Sequence, residues 1–322
     1  MQRALAVVDR WVAEGAVPGI AVAAVSPHGL VAEHVAGVTE RGGDRLVAAD
    51  TLFALASLTK PVVAVAVAVA VEEGLVDLDD KGAHGYALRH LLSHASGVSD
   101  HDDRPAFPPG TRRAYSNRAY RLAAEQVERA SGISFADYLR VGVLEPLGGE
   151  FVYGLPAPLA ERTATVYQPG KAGDRELFNS EAFRTSPRAS SGAFATAAGY
   201  GRLLSCLLAG GATPAGFLLA GETVDELLAC QFGELPGVVE GVGEWPDLCW
   251  GLGFDVRGRR EPHWSGTGLS PTAASHFGAS GTLAWLDRER GIGLVALANR
   301  STYSGWWIEL WPELTAAVLA AL

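Results

Sequence analysis

The chain has 322 residues, enough for one large domain or two smaller ones with a substantial core. Its apolar fraction is 48% and its charged fraction 19%, the balance of a globular protein with extensive buried surface. A formal net charge of −10 excludes general affinity for nucleic acid or anionic membrane, which needs clustered basic residues.

Residues 2–15 carry the pattern of an amphipathic helix closed by Gly15. No uninterrupted apolar stretch precedes its charges, so it does not read as a secretory signal. Residues 19–25 and 30–38 are expected to be two strands, joined hairpin-fashion by Pro27-His28-Gly29. A loop follows over residues 41–50. Residues 52–73 then read LFALASLTKPVVAVAVAVAVEE. Alternating Val and Ala suits a strand as well as a helix, but Pro61 is tolerated in the first turn of a helix and Glu72-Glu73-Gly74 supplies an end. The apolar run at 61–71 is too short to cross a bilayer. The chain is therefore expected to be soluble and cytoplasmic.

Within this stretch Ser57 and Lys60 stand three residues apart, which places them on one face of a helix. A serine hydroxyl needs a base to become a nucleophile, and a lysine serves once apolar surroundings favour its neutral form. The chain carries only three lysines among 26 basic residues, and arginine cannot take this role. The alternative is an exposed lysine in a first turn, with Ser57 as N-cap.

Residues 75–150 read as mostly helix and loop, with helices at 89–94, 120–132 and 135–143. Residues 155–192 form an irregular surface excursion. Helices follow at 196–208, capped by Thr196, and at 223–230. Strands are expected at 251–256, 276–287 and 291–299, and the chain ends in an apolar helix at 306–322. Strands at both ends with helices between imply an α+β layer with a helical insertion. The expected organisation is one domain, 1–322, with a sheet part from 1–60 and 190–322 and a helical part over 61–189.

Two further groups carry chemistry. Tyr115-Ser116-Asn117 follows Pro109-Gly110-Thr111; a tyrosine near a lysine shares proton transfer, and an asparagine donates to a bound carbonyl, although Ser and Asn are also ordinary turn residues. His276-Phe277-Gly278-Ala279 opens a strand. Gly278 would let a substrate approach the backbone, and the N–H of Ala279 would pair with that of Ser57 around an oxyanion. The alternative for His276 is a satisfied structural histidine.

In order, Ser57-x-x-Lys60, Tyr115-x-Asn117 and His276-x-Gly278 resemble the three motifs of the serine β-lactamase and penicillin-binding-protein-like family, class C branch. That branch includes family VIII-type carboxylesterases, D-amino-acid peptidases and acyltransferases. Leu91-Leu92-Ser93-His94-Ala95-Ser96-Gly97, Ser191-Gly192-Ala193-Phe194, Trp250-Gly251-Leu252-Gly253 and Asn299-Arg300 are similar too, so the resemblance spans nearly the whole chain. It implies a β-lactamase/transpeptidase-like fold, an antiparallel sheet flanked by helices with a trimmed all-helical insertion. It also implies acyl transfer to Ser57, with Lys60 and Tyr115 sharing the base role, and Asn117, His276, Gly278 and Ala279 binding substrate. The expected partner is a small-molecule acyl substrate; no cofactor, metal, nucleic acid or membrane is expected.

The third motif departs from the family pattern. Many β-lactamases carry Lys-Thr/Ser-Gly there, and those groups hold the carboxylate of the drug. His276 is only partly charged near neutrality and Phe277 has no hydroxyl, so the expectation is a preference for neutral esters. The short spacing from Ser57 to Tyr115 implies an open cleft, with one or two of Trp245, Trp250, Trp264, Trp306 and Trp307 on its walls. His90, His94 and residues Asp100 to Asp103 are read as structural or solvated. Cys206, Cys230 and Cys249 are read as reduced thiols without metal-ligand spacing. Gly-x-Ser-x-Gly, Gly-x-Gly-x-x-Gly and phosphate-loop motifs are absent.

Overall fold

The computed structural model describes residues 1–169, 177–239 and 242–322. Helices α1 (Gln2–Leu5) and α2 (Val7–Ala13) open the chain, so the single helix expected there is interrupted at Ala6. Strands β1 (Gly19–Ser26) and β2 (Gly29–Gly37) form the expected hairpin. Along β1, Ala21, Ala23 and Val25 enter one core while Ile20, Val22 and Ala24 enter another, the two-residue period of a strand buried on both faces. Asn299 staples this strand: its Oδ1 accepts from the Gly19 N–H at 2.8 Å, and its Nδ2 donates to the carbonyls of Val38 and Thr39.

Helix α3 (Thr59–Glu72) resolves the Val-Ala alternation in favour of helix. Every residue from Thr59 to Ala70 is buried, as befits a helix apolar on all sides. Further elements are β3 (Arg113–Ala114), α4 (Asn117–Ser131), α5 (Ala197–Leu208), β4 (Leu235–Val239), β5 (Gly243–Trp250), β6 (Asp255–Val256), β7 (Ala274–Gly278), β8 (Thr282–Asp287), β9 (Ile292–Ala298) and α6 (Trp307–Leu319). One sheet runs in the order β2-β1-β9-β8-β7-β6-β5-β4-β3. Its pairs are antiparallel except β3 with β4. Helices α1, α2 and α6 cover one face through Leu5, Trp11, Trp311 and Leu314; α3, α4 and α5 lie in the core on the other. This is the expected α+β layer drawn from both ends of the chain.

Several expectations are corrected. The strand at 276–287 is two strands, β7 and β8, paired in register Gly278 with Thr282 around a tight turn at Ala279-Ser280-Gly281. Only Asp255–Val256 is extended within 251–256. The pair β4/β5 was not anticipated, because Pro236 and Pro246 interrupt the strand pattern. The helix at 135–143 holds as Phe135–Leu139 and then widens to a π-helical turn, Arg140–Leu144. The insertion also holds a short strand, Phe151–Tyr153, besides β3. The described parts of the irregular excursion carry only short helical turns and bridges such as Tyr167 with Arg300; its residues 170–176 lie outside the described residues. Cys230 and Cys249 are joined in a disulfide, their Cα atoms 5.3 Å apart, because the Gln231 N–H bonds the Trp250 carbonyl and lays the two segments side by side. Only Cys206 is the buried thiol expected. Among the described residues no helix is long and apolar enough to cross a membrane.

Candidate active site

Ser57 sits on a single 3₁₀ turn, Ala56–Leu58, immediately before α3. Ala56 holds φ at +45°, a left-handed conformation that a residue with a side chain adopts only under constraint. The constraint is visible in the β7–β8 turn. Ser280 Oγ donates to the Ala54 carbonyl at 2.6 Å, and Thr282 Oγ1 donates to the Leu55 carbonyl at 2.9 Å. The sheet thus grips the chain just ahead of the serine.

Lys60, one residue into α3, is completely buried. Its Nζ lies 3.0 Å from Ser57 Oγ, 2.8 Å from Asn117 Oδ1 and 3.1 Å from the Ser190 carbonyl. Burial pushes its pKa down from 10.5 to about 7, against the Asp100 carboxylate, which pulls it up. Near neutrality the amine is therefore free of its extra proton much of the time. Asn117 Oδ1 and the Ser190 carbonyl can only accept, so a neutral amine spends its two hydrogens on them. Its lone pair is then left for the hydroxyl of Ser57.

Tyr115 closes the other side. Its ring lies 4.6 Å from Lys60 Nζ, and its hydroxyl interacts with Ser57. Burial pushes the phenol upward, eased by the Ser57 hydrogen bond and reinforced by Asp100. Tyr115 is thus a neutral donor near pH 7. Arg113 fixes the approach to it: this 1%-exposed side chain donates to the carbonyls of Ser93, Gln231, Gly233 and Leu248, tying β3 to β5 and to the segment that leads into β4. Behind Tyr115 stand His94 and Trp250.

Ser57, Tyr115, Asn117 and Ala279 line one cleft of about 540 Å³. Val239, Phe277, Tyr303, Trp307 and Ile308 form its apolar walls. Phe277 stacks on Trp307 with centroids 5.1 Å apart. Of the tryptophans named from sequence, Trp307 alone lines this cleft.

Two residues are placed otherwise than expected. His276 is 1% exposed and does not line the cleft; its ring lies against Tyr115 and Trp250. Burial, with the Lys60 charge adding to it, pushes its pKa to about 3 against the opposing Phe277 carbonyl, so it is a neutral imidazole. The expected partial charge is absent because desolvation outweighs any favourable contact. Gly278 is not among the residues lining the cleft, and it packs against the chain before Ser57: an added Cβ would stand 2.1 Å from the Leu55 carbonyl oxygen. Its glycine is required by the chain that leads to Ser57.

Asp100 was missed. It accepts from the N–H groups of Asn117 (2.8 Å) and Arg118 (3.1 Å) and from Asn117 Nδ2 (3.1 Å). Burial works upward on its carboxyl, but these donors together with the Ser116 hydroxyl outweigh it and hold it below the usual range. Nothing local in Ser99-Asp100-His101-Asp102-Asp103 separates this carboxylate from its solvated neighbours. Among the described residues no group of three His, Cys, Asp or Glu is placed to hold a metal ion.

The Beta-lactamase family profile matches residues 5–312. The crystal structure of a beta-lactamase from Mycobacterium bovis is 36% identical, covering 97% of this chain and 98% of that one, with a TM-score of 0.74. Esterase EstB of Burkholderia gladioli is 30% identical over 215 residues, 52% of this chain and 54% of that protein. Penicillin-binding protein 4* of Bacillus subtilis is 27% identical over 206 residues, 45% of this chain and 46% of that protein. The chain spans about half the length of the curated relatives it matches. With a sheet of this order, helices on both faces and a match over nearly its full length, the chain belongs to the beta-lactamase family.

Proposed function

We propose that the protein is a serine hydrolase that forms an acyl-enzyme on Ser57 and prefers small neutral esters. The observation that carries the substrate class is the cleft: no cationic side chain is among its described lining residues, and Val239, Phe277, Trp307 and Ile308 give it apolar surface beside uncharged polar groups. A substrate carboxylate would find no charged partner there, whereas an uncharged acyl or alcohol group would gain apolar contact. Lys60 is held behind Ser57 in three hydrogen bonds.

In the proposed reaction Ser57 Oγ forms a bond to the ester carbonyl carbon as its proton passes to the Lys60 lone pair. The N–H groups of Ser57 and Ala279 are the oxyanion donors. Collapse breaks the bond to the alkoxide, which leaves as an alcohol with the proton relayed through the Tyr115 hydroxyl. Water then adds to the acyl carbon, its proton following the same path, and Ser57 is released with a carboxylic acid. Lys60 is the base in this scheme because its pKa lies near 7, while Tyr115, raised by burial, remains a phenol.

The likeness to the Mycobacterium bovis structure favours a second reading, β-lactam hydrolysis at the same serine. One comparison separates them: kcat/KM on a p-nitrophenyl ester of a short acid against a chromogenic cephalosporin, with Ser57→Ala as control. Faster ester turnover that is lost in Ser57→Ala supports the esterase. A large preference for the cephalosporin assigns the β-lactamase, and turnover that survives Ser57→Ala removes the serine from both.

A further inference from the structure

Lys60 can serve as a base only if its lone pair points at Ser57, and that depends on how Asn117 is turned. With its oxygen toward the amine, the Asn117 amide takes up an N–H of Lys60. Turned by half a revolution, it would present its NH₂ group, compete for the lone pair and draw it away from the serine. The two orientations occupy the same space, so something beyond shape must choose between them.

That choice is made by the loop between Gly97 and Pro109. Asp100 Oδ1 accepts from the backbone N–H groups of Asn117 and Arg118 at the start of α4, which fixes the carboxylate in position. Its Oδ2 then accepts from Asn117 Nδ2 at 3.1 Å. A carboxylate can only accept, so it admits the NH₂ end of the amide and rejects the oxygen end. Asn117 Oδ1 is thereby turned to Lys60 Nζ, 2.8 Å away.

We propose that Asp100 is the positioning residue of the site: it locks the Asn117 amide with its oxygen toward Lys60 and so aims the lone pair of Lys60 at Ser57. This rests on Ser57 being the acylated residue. Asp100 also acts by charge. Lys60 faces Ser57 from the 3₁₀ turn, Asn117 and Tyr120 from α4, Tyr115 from the segment before it, the Ser190 carbonyl from its loop, and His94 and His276 from the layer behind. The imidazoles are neutral near pH 7 and both phenols are pushed up by burial. Among the described residues, Asp100 supplies the charge that pulls the Lys60 pKa up against burial.

Asp100→Asn tests both effects. Its oxygen can still cap α4, but its NH₂ would then oppose Asn117 Nδ2, donor against donor, and turn the Asn117 amide over. The readout is the second-order rate of labelling by a fluorophosphonate, followed by intact mass from pH 5 to 10. The Ser57 Oγ–P bond forms, the P–F bond breaks, fluoride leaves and the proton goes to Lys60. The expected result is a plateau rate lower by about tenfold or more and a midpoint displaced to lower pH by about half a unit, a modest shift because water screens this exposed carboxylate. A lower plateau with an unmoved midpoint assigns Asp100 a structural role only and overturns the proposal. So does a moved midpoint with an unchanged plateau, or no change at all. If Asp100→Asn does not fold, Asp100→Ala removes the same charge and the same selection of the amide, and carries the same expectations. Failure of the wild-type protein to label at Ser57 would instead overturn the acyl-enzyme reading on which the proposal rests.

Discussion

His94 lies face to face with Tyr115, their ring centroids 4.3 Å apart and their planes 30° apart. The same imidazole accepts at Nδ1 from the Ser116 N–H at 3.1 Å, so its proton resides on Nε2. Its backbone holds φ at +56° and its carbonyl accepts from the Ala114 N–H at 2.9 Å. A strained residue bonded on both sides of Tyr115 is a device for setting the tilt of that ring. The histidine of the Leu-Leu-Ser-His segment packs as a structural residue, and what it structures is the phenol beside Ser57.

His94→Ala removes the stacked ring and the acceptor for Ser116 while keeping the strained backbone. The expected result is a kcat about 10- to 100-fold lower with KM changed little, since the ring positions a proton-transfer group and does not touch the cleft. His94→Asn tolerates the left-handed backbone better and still lacks the ring. Both variants should therefore lose activity alike, while Asn retains more thermal stability. Activity within twofold of wild type in both would show that the stack positions nothing.

The ordered set Ser57, Lys60, Tyr115 and Asn117 was legible in the sequence because each residue sits in a short motif and because lysine is scarce in this chain. The buried helix that carries Lys60 was legible through Pro61 and the Glu72-Glu73-Gly74 end. Asp100 was not, since its value comes from a loop meeting the first turn of α4, which no local spacing announces. The turn at Ala279-Ser280-Gly281 is hidden inside an apolar run that reads as one strand, although Gly278 before it and Gly281 at its end are hairpin signals. His276 was misjudged for a different reason. Residue type fixes its pKa in water, but the fold decides how much water it keeps.

The depressed Lys60 pKa has a sign that stability measurements can read. The unfolded chain holds this proton up to about pH 10.5, the folded one only to about 7. Between those values the unfolded state binds more protons, so stability must rise with pH across the window. Below about 7 both states are protonated and the full penalty of burying an ammonium is felt. Lys60→Met abolishes the term. The expected outcome is that the melting temperature of wild type, taken relative to Lys60→Met, climbs from pH 7 to pH 10. A flat difference would mean that Lys60 titrates as it does in water. Lys60→Arg keeps the charge at every pH and is expected to lower kcat/KM by about 10³-fold.

Gly278 links the third motif to the Ser57 segment. An added Cβ would meet the Leu55 carbonyl oxygen at 2.1 Å and Thr282 Oγ1 at 2.4 Å, distances no side-chain adjustment relieves because one of the two atoms is backbone. That carbonyl already accepts from Thr282 Oγ1, and it lies two residues before Ser57. Gly278→Ala must therefore push β7 away from the 53–57 segment, break that hydrogen bond and change the distance between the N–H groups of Ser57 and Ala279. The expected destabilisation is about 1–3 kcal/mol, the range for an overpacked core. The expected loss in kcat is about 10²-fold, the scale for a displacement of roughly 1 Å at a reacting group. Gly82→Ala, where an added Cβ meets nothing within 4 Å, is the control and should change neither quantity. Should Gly278→Ala keep both its melting temperature and its labelling rate at Ser57, the grip of the β7–β8 turn on the nucleophile segment would have no part in positioning it.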